Sequence, residues 1–266
     1  MEKNEILIGE HISKTYGEKT ILNDISFSLK EGELLSLLGV SGVGKTTLFN
    51  VLSGLSKPDS GDVFLRKEDA TEEAEEAYLT ITGKTGYLSY MLQKDLLLPH
   101  KHVIDNVALP LILKGVRKKE ARETAAEHFK QFGLEGCEYK YPSELSGGMR
   151  QRAAFLRTYL CGNRVVLLDE PFSALDTITK AAMQEWFLEV MDELKLSAVF
   201  ITHDIDEAIL LSDRIYMMMG SPATLTKEIT VDKKKPRSQA FTLTDEFLEY
   251  KKEIRRLLFV DQVAFS

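Results

Sequence analysis

A chain of 266 residues, 44% hydrophobic and 28% charged, has the composition of a folded protein and is long enough for one large core carrying a subdomain or tail. Its 34 Lys and Arg against 41 Asp and Glu leave a net charge of −7, which removes the basic footprint that DNA or RNA binding needs, so no nucleic-acid partner is expected. Two cysteines, Cys137 and Cys161, are too few for a disulfide framework and are not spaced as metal ligands, which favours a reducing cytoplasm.

In chain order, residues 1–5 are charged where a secretion signal needs an apolar stretch, and no later apolar run approaches the roughly 18 residues of a spanning helix. Membrane contact is therefore expected only through partner chains. Residues 6–38 alternate short apolar runs with turn residues and predict strands. Leu48, Val51, Leu52 and Leu55 then fall at helical spacing, and a Lys-Pro-Asp-Ser-Gly run at 57–61 punctuates the chain. Residues 67–77 are acidic and predict a solvated loop or short exposed helix to which no function is assigned. Between 96 and 132 the character turns helical, with Ala121, Ala125, Phe129 and Phe132 on one face and Gly133 as a stop. Strand-like runs return at 165–168 and 198–202 around a helical stretch at 183–194, the rhythm of a parallel sheet, so the class is α/β. Near the end, Phe247, Tyr250, Ile254, Leu257 and Leu258 face away from Lys251, Lys252, Arg255 and Arg256. That is an amphipathic helix, packed either on the protein's own surface or on a partner.

The strongest motif is GVSGVGKT at 39–46, which fits G-x-x-x-x-G-K-[ST] directly after an apolar strand and before a helical pattern. Gly39, Gly42 and Gly44 permit backbone conformations in which successive N–H groups converge on phosphate oxygens at a helix start. Lys45 supplies a full charge for the outer phosphates, and Thr46 a hydroxyl for Mg²⁺, which prefers hard oxygen ligands. The TGKT run at 82–85 lacks the upstream glycines and reads as a turn. Next, four apolar residues at 165–168 end in Asp169 and Glu170, placing two carboxylates at the carboxyl edge of a buried strand, where open parallel sheets bind ligands. Asp169 suits Mg²⁺, and Glu170 suits general-base activation of water. The two motifs together define a P-loop NTPase.

The LSGGMRQR run at 145–152 then resembles the signature motif of the ABC ATPases. In the same order, Tyr16 resembles the aromatic that stacks on adenine, Gln93 the Q-loop glutamine that reaches Mg²⁺ and water, and the run from Ser173 to Asp176 the D-loop. His203 resembles the switch histidine that contacts the γ-phosphate. The resemblance spans about residues 6–219. It implies a cassette over 1–240 with a mainly parallel central sheet, an N-terminal antiparallel β subdomain and an inserted α-helical subdomain at about 94–160, followed by a helical tail at 241–266. It also implies that Gly39, Ser41, Gly42, Gly44, Lys45, Thr46 and Thr47 hold ATP. Ser146, Gly147 and Gly148 would complete each site across a dimer of two copies, Asp176 would also bind ATP, and Thr46, Gln93 and Asp169 would hold Mg²⁺.

Among ABC proteins, a chromosome or DNA-repair ATPase would need a long coiled coil between Lys45 and Leu145, and the interval is too short; a translation ATPase usually carries two cassettes, and one is present. A soluble iron–sulfur assembly ATPase remains an alternative to a transporter subunit. Residues 96–107, with Lys235, Pro236 and Arg237 before the amphipathic tail, are similar to the nitrate, sulfonate and taurine importer subunits, although His100 and Leu92 replace that group's common Trp and Phe. His100 and His102 read as part of a surface turn. This resemblance implies integral membrane permease partners, a separate solute-binding protein and a peripheral place on the cytoplasmic face of the membrane. Residues 93–107 would receive a permease helix, with Leu97 and Leu98 as contacts. Lys45→Ala is expected to abolish most ATP binding or hydrolysis, because it removes the motif cation aimed at the β and γ phosphates. Near-normal ATPase activity in the reconstituted complex would refute that role.

Overall fold

The computed structural model describes residues 5–68, 77–233 and 237–264. Most of the acidic 67–77 stretch, the charged start, and Lys235 and Pro236 thus lie outside the described residues. The chain opens with β1 (Glu5–Tyr16) and β2 (Lys19–Lys30), joined in antiparallel register through a tight turn at Gly17. β3 (Leu34–Leu38) feeds α1 (Lys45–Leu52), and β4 (Ser60–Arg66) and β5 (Tyr78–Thr80) return to the first sheet, whose order is β2-β1-β4-β5. β6 (Ser89–Met91) leads to α2 (Val103–Val107), α3 (Leu109–Leu113), α4 (Lys118–Glu127) and α5 (Gly147–Tyr159). Then follow β7 (Val165–Asp169), α6 (Thr177–Leu194), β8 (Ser197–Thr202), α7 (Ile205–Leu211), β9 (Arg214–Met219), β10 (Thr224–Thr230) and α8 (Asp245–Ala264).

The second sheet has the order β10-β9-β3-β8-β7-β6; β10 runs antiparallel at the edge and the other five are parallel. Its central strands are apolar at nearly every position because both faces are covered. The two-residue period divides each strand between two cores. Leu35 and Leu37, Val165 and Leu167, and Val199 and Ile201 face the antiparallel sheet and α1. Leu34 and Leu38, Val166 and Leu168, and Ala198 and Phe200 face the helical side. The four helices α2 to α5 seat on α6 through an aromatic cluster. Phe132 and Phe155 meet Trp186 at centroid distances of 5.8 and 6.0 Å, and the Arg152 guanidinium lies 4.8 Å over the same indole. This packing explains a departure from the helical spacing. α4 ends at Glu127, and Phe129 and Phe132 are buried on the turns that follow, because seating Phe132 against Trp186 overrides continuation of the helix.

The tail packs on the protein's own surface, with Phe247 and Ile254 buried in the helical-side core. Two polar attachments fix it to α7. Lys251 Nζ lies 2.8 Å from Asp206 Oδ2, and the buried Arg237 guanidinium donates to the carbonyls of Ile209, Leu210, Ser212, Val231 and Lys233 at 2.5 to 3.4 Å. Three of these carbonyls belong to the end of α7, where helical C=O groups lack partners and a cation is favoured. Arg237→Met removes every one of these donors and leaves buried carbonyls unpaired, so it is expected to cost about 2–4 kcal/mol of stability. Urea unfolding checks this, with Arg237→Lys intermediate because an ammonium has fewer donors.

Candidate functional site

The strands β3, β8, β7 and β6 are neighbours, and the loops leaving their carboxyl ends carry the motif residues. After β3 the chain turns so tightly that a Cβ on Gly39 would lie 2.4 Å from the Met218 carbonyl oxygen, and Gly44 adopts φ 121°, so side chains are excluded at both positions. α1 starts at Lys45 with no side-chain cap, which leaves its first N–H groups free to meet an anion. Ser41, Gly42 and Thr46 are exposed on this loop and Thr47 is half-buried. Lys45 is buried, and its ammonium is folded onto its own loop, donating to the carbonyls of Gly39 at 2.6 Å and Val40 at 3.0 Å. Burial pushes its pKa down, while the charges of Glu170 and Asp169 resist.

Asp169, at the end of β7, accepts from Thr46 Oγ1 at 3.4 Å and from the Tyr90 hydroxyl at 3.3 Å. Burial raises the Asp169 pKa, the Glu170 charge adds to that, and the hydrogen bonds of Tyr90 and Thr46 oppose it. Burial and the same carboxylate push the Tyr90 phenol far above its ordinary range, so it stays a donor. A hydroxyl and a carboxylate, without sulfur or imidazole, suit a hard cation that retains water and shares phosphate ligands. Among the described residues no group of three or more His, Cys, Asp or Glu is placed to hold a metal.

Glu170 adopts φ 45°, a left-handed conformation unfavourable for a residue with a side chain, and its N–H donates to the Ile201 carbonyl at 3.1 Å. One carboxylate oxygen accepts from Gln93 Nε2 at 3.1 Å, and the other lies 3.1 Å from His203 Nδ1. Ser173 Oγ donates to the Glu170 carbonyl at 3.0 Å. The structure thus joins Gln93, Glu170 and His203, from the ends of three adjacent strands, in one hydrogen-bonded group beside the phosphate loop.

The remaining predicted residues lie apart from that group. Tyr16 is half exposed, with Lys14 Nζ 5.3 Å from its ring centre. Ser146 caps α5, its Oγ accepting from Met149 N–H at 3.2 Å. Gly148 packs on α6, where an added Cβ would approach Thr179 Cγ2 at 3.2 Å; Gly147 has more room, its nearest such contact being Leu175 Cδ2 at 3.5 Å. Asp176 caps α6 through the N–H groups of Ile178 and Thr179, and its carboxyl is held below the usual range first by the Thr179 hydroxyl and then by those N–H groups. A cavity of about 340 Å³ adjoins the phosphate loop, lined by Ile21, Val40, Val43 and Met218, with Leu258 of α8 at its wall.

One expected contact is corrected. Leu97 is buried in the core, so it cannot serve as a docking contact, and Leu98 is half-buried; the exposed leucine of the segment is Leu96, with exposed Leu92 just before it. His102 meets the rings of Tyr139 and Tyr141, at centroid distances of 6.1 and 4.6 Å. Tyr90 was missed by sequence reasoning, since a tyrosine inside a short strand reads as core filler.

A family model described as ABC transporter matches residues 22–173. The formylaminopyrimidine import ATP-binding protein ThiZ of Halalkalibacterium halodurans is 38% identical over 262 residues, 97% of this chain and 98% of that protein. The nitrate import ATP-binding protein NrtD of a Synechocystis species is 33% identical over 261 residues, 96% of this chain and 92% of that protein. The ATP-binding cassette MJ0796, solved as a dimer in a post-hydrolysis state bound to ADP and Pi, superposes with a TM-score of 0.68 at 28% identity over 86% of this chain and 100% of that one.

Tyr90→Phe deletes a donor to the predicted metal carboxylate without changing ring volume. The Mg²⁺ concentration for half-maximal nucleotide hydrolysis is expected to rise about tenfold, the size seen when a group supporting a metal ligand is lost. A magnesium titration of both proteins measures it; an unchanged midpoint leaves Tyr90 with a packing role only.

Proposed function

The chain belongs to the ABC transporter ATP-binding family, and from that premise we propose that it is the ATP-hydrolysing subunit of an importer of a small solute of the nitrate, sulfonate and taurine type. The observation that carries the reading is the placement of the Glu170 carboxylate between Gln93 and His203, beside the phosphate loop that holds Lys45. In this reading ATP draws the Lys45 ammonium off its own loop carbonyls onto the β and γ phosphates, while the N–H groups from Ser41 to Thr47 surround them. Tyr16 stacks on adenine. Thr46 and Asp169 would hold Mg²⁺, with Gln93 within reach of it from the adjacent strand end, and the ion would supply neutralisation of the phosphate charge. Glu170 accepts the proton of the attacking water, and His203 contacts the γ-phosphate.

Ser146, Gly147, Gly148 and Asp176 serve the ATP bound by a second copy. The dimeric MJ0796 cassette, with ADP and Pi, supports such an arrangement. So does the exposure of Ile178, two residues past Asp176, and of Val40 on the phosphate loop. The cassette is taken to span 1–240, with the helical subdomain at about 94–160, and the tail 241–266. No helix among the described residues is long and apolar enough to cross a membrane, so attachment to the cytoplasmic face falls to permease subunits, with a separate solute-binding protein delivering the solute. Exposed Leu92 and Leu96, with Tyr139 and Tyr141 around His102, offer an apolar surface for a permease helix. The import relatives matched over nearly their whole length favour this reading over a soluble iron–sulfur assembly ATPase.

The test is recovery of the tagged chain from solubilised membranes. A multi-spanning partner is expected to co-purify. Leu92→Asp and Leu96→Asp should weaken that association at least tenfold while ATP affinity stays within about twofold, since neither side chain is aimed at phosphate. Recovery of soluble assembly proteins alone would favour the other reading.

A further inference from the structure

Lys180 stands one turn into α6, its N–H donating to the Asp176 carbonyl at 2.8 Å, so its backbone moves with the Asp176 turn. Its ammonium reaches across to α7, 2.7 Å from Asp204 Oδ2 and 2.6 Å from Glu207 Oε1. Both acids are tied to the residues flanking His203. Asp204 caps α7, accepting from Asp206 N–H at 2.9 Å and Glu207 N–H at 3.3 Å, and its own N–H donates to Thr202 Oγ1 at 3.0 Å. Thr202 in turn donates to Glu207 Oε2 at 2.5 Å. His203 therefore sits between two residues fixed by one network, and its ring leaves that network to meet Glu170.

The network is shielded at its Glu207 end. The Glu207 side chain is 4% exposed and Lys180 23%. Burial raises the Glu207 pKa against the opposing pull of Lys180 and Thr202. For Asp204, burial acts the same way, but the Lys180 hydrogen bond and charge outweigh it and its pKa ends low. Removing the cation would leave the buried Glu207 carboxylate without its ion-pair partner, while Asp204, 36% exposed, can turn to water, so both acids are expected to shift.

Resting on the ATPase reading above, we propose that Lys180 is a positioning residue which joins the Asp176 turn to His203, so that a second copy meeting the Asp176 turn sets the histidine against Glu170 and the γ-phosphate. Lys180 touches neither nucleotide nor water in this scheme. It acts through Asp204 and Glu207 on the His203 backbone, and its loss is felt in turnover and not in ATP binding.

The experiment uses the full chain in its reconstituted complex and reads kcat, ATP affinity by direct binding, and Tm. Lys180→Met should lower kcat about tenfold or more, with ATP affinity within about twofold, the pattern of a contact made only in the transition state. Lys180→Arg, which keeps charge and reach, should restore kcat to within about threefold of wild type. Because Lys180→Met strands a buried Glu207 charge, the double variant Lys180→Met/Glu207→Gln, expected to keep the wild-type Tm, should still show the low kcat. Wild-type kcat in that double variant, an equal loss of ATP affinity and kcat, or a Lys180→Arg as impaired as Lys180→Met would overturn the assignment. If the wild-type complex hydrolyses no ATP, or Glu170→Gln hydrolyses it normally, the underlying functional reading fails instead.

Discussion

Parallel strands that are buried on both faces must end at a common edge, and this constraint organises the molecule. β3, β8, β7 and β6 lie side by side, and each delivers one chemical group to that edge: the Lys45 loop, His203, the Asp169 and Glu170 pair, and Gln93. None of these groups needs a long flexible arm, because the pairing register fixes where each strand stops. The edge is consequently rich in polar groups that pair with one another, some buried, as Lys45 and Asp169 are, and some open to solvent, as Gln93 and His203 are. Lys45 rests on carbonyls, Asp169 on two hydroxyls, and Glu170 on an amide and an imidazole.

The opposite edge holds the frame. Arg214 at the start of β9 meets Glu33 in front of β3 through two hydrogen bonds, at 2.5 and 2.9 Å, with both groups nearly buried. The pair raises the Arg214 pKa further, chiefly through the hydrogen bonds to Glu33. A bidentate ion pair at the closed edge and loosely paired single charges at the open edge divide rigidity from chemistry. On the helical side the aromatic cluster around Trp186 packs α5, which Ser146 caps, against α6, which Asp176 caps and which carries Lys180.

Much of this was legible in the sequence where local rules and tertiary demands coincide. The strand, glycine-rich turn and helix at 34–52 follow from periodicity and from the requirement for residues without a Cβ. The apolar run ending in Asp169 and Glu170 gave both its strand and the edge at which the acids appear. Where tertiary packing decides, the sequence was less informative. Phe129 and Phe132 keep helical spacing yet lie on turns, and Leu97, inside an apolar run, is buried while Leu96 beside it is exposed. Tyr90 and Lys180 carry no motif at all. Their partners, Asp169 and Asp204, are 79 and 24 residues away, and only the strand order brings them together.

Glu170 sits in a backbone conformation that costs an L-residue roughly 1 kcal/mol or more and costs glycine almost nothing. The position is therefore under two opposed preferences. For the fold alone, glycine or asparagine would be the easier occupant; in the proposed reading a long acidic side chain is kept there for its carboxylate, which takes the proton of the attacking water. On that reading, a screen that selects for thermal stability without selecting for turnover would drift away from glutamate at 170, and the most heat-resistant variants it returned would include proteins that bind nucleotide and no longer consume it.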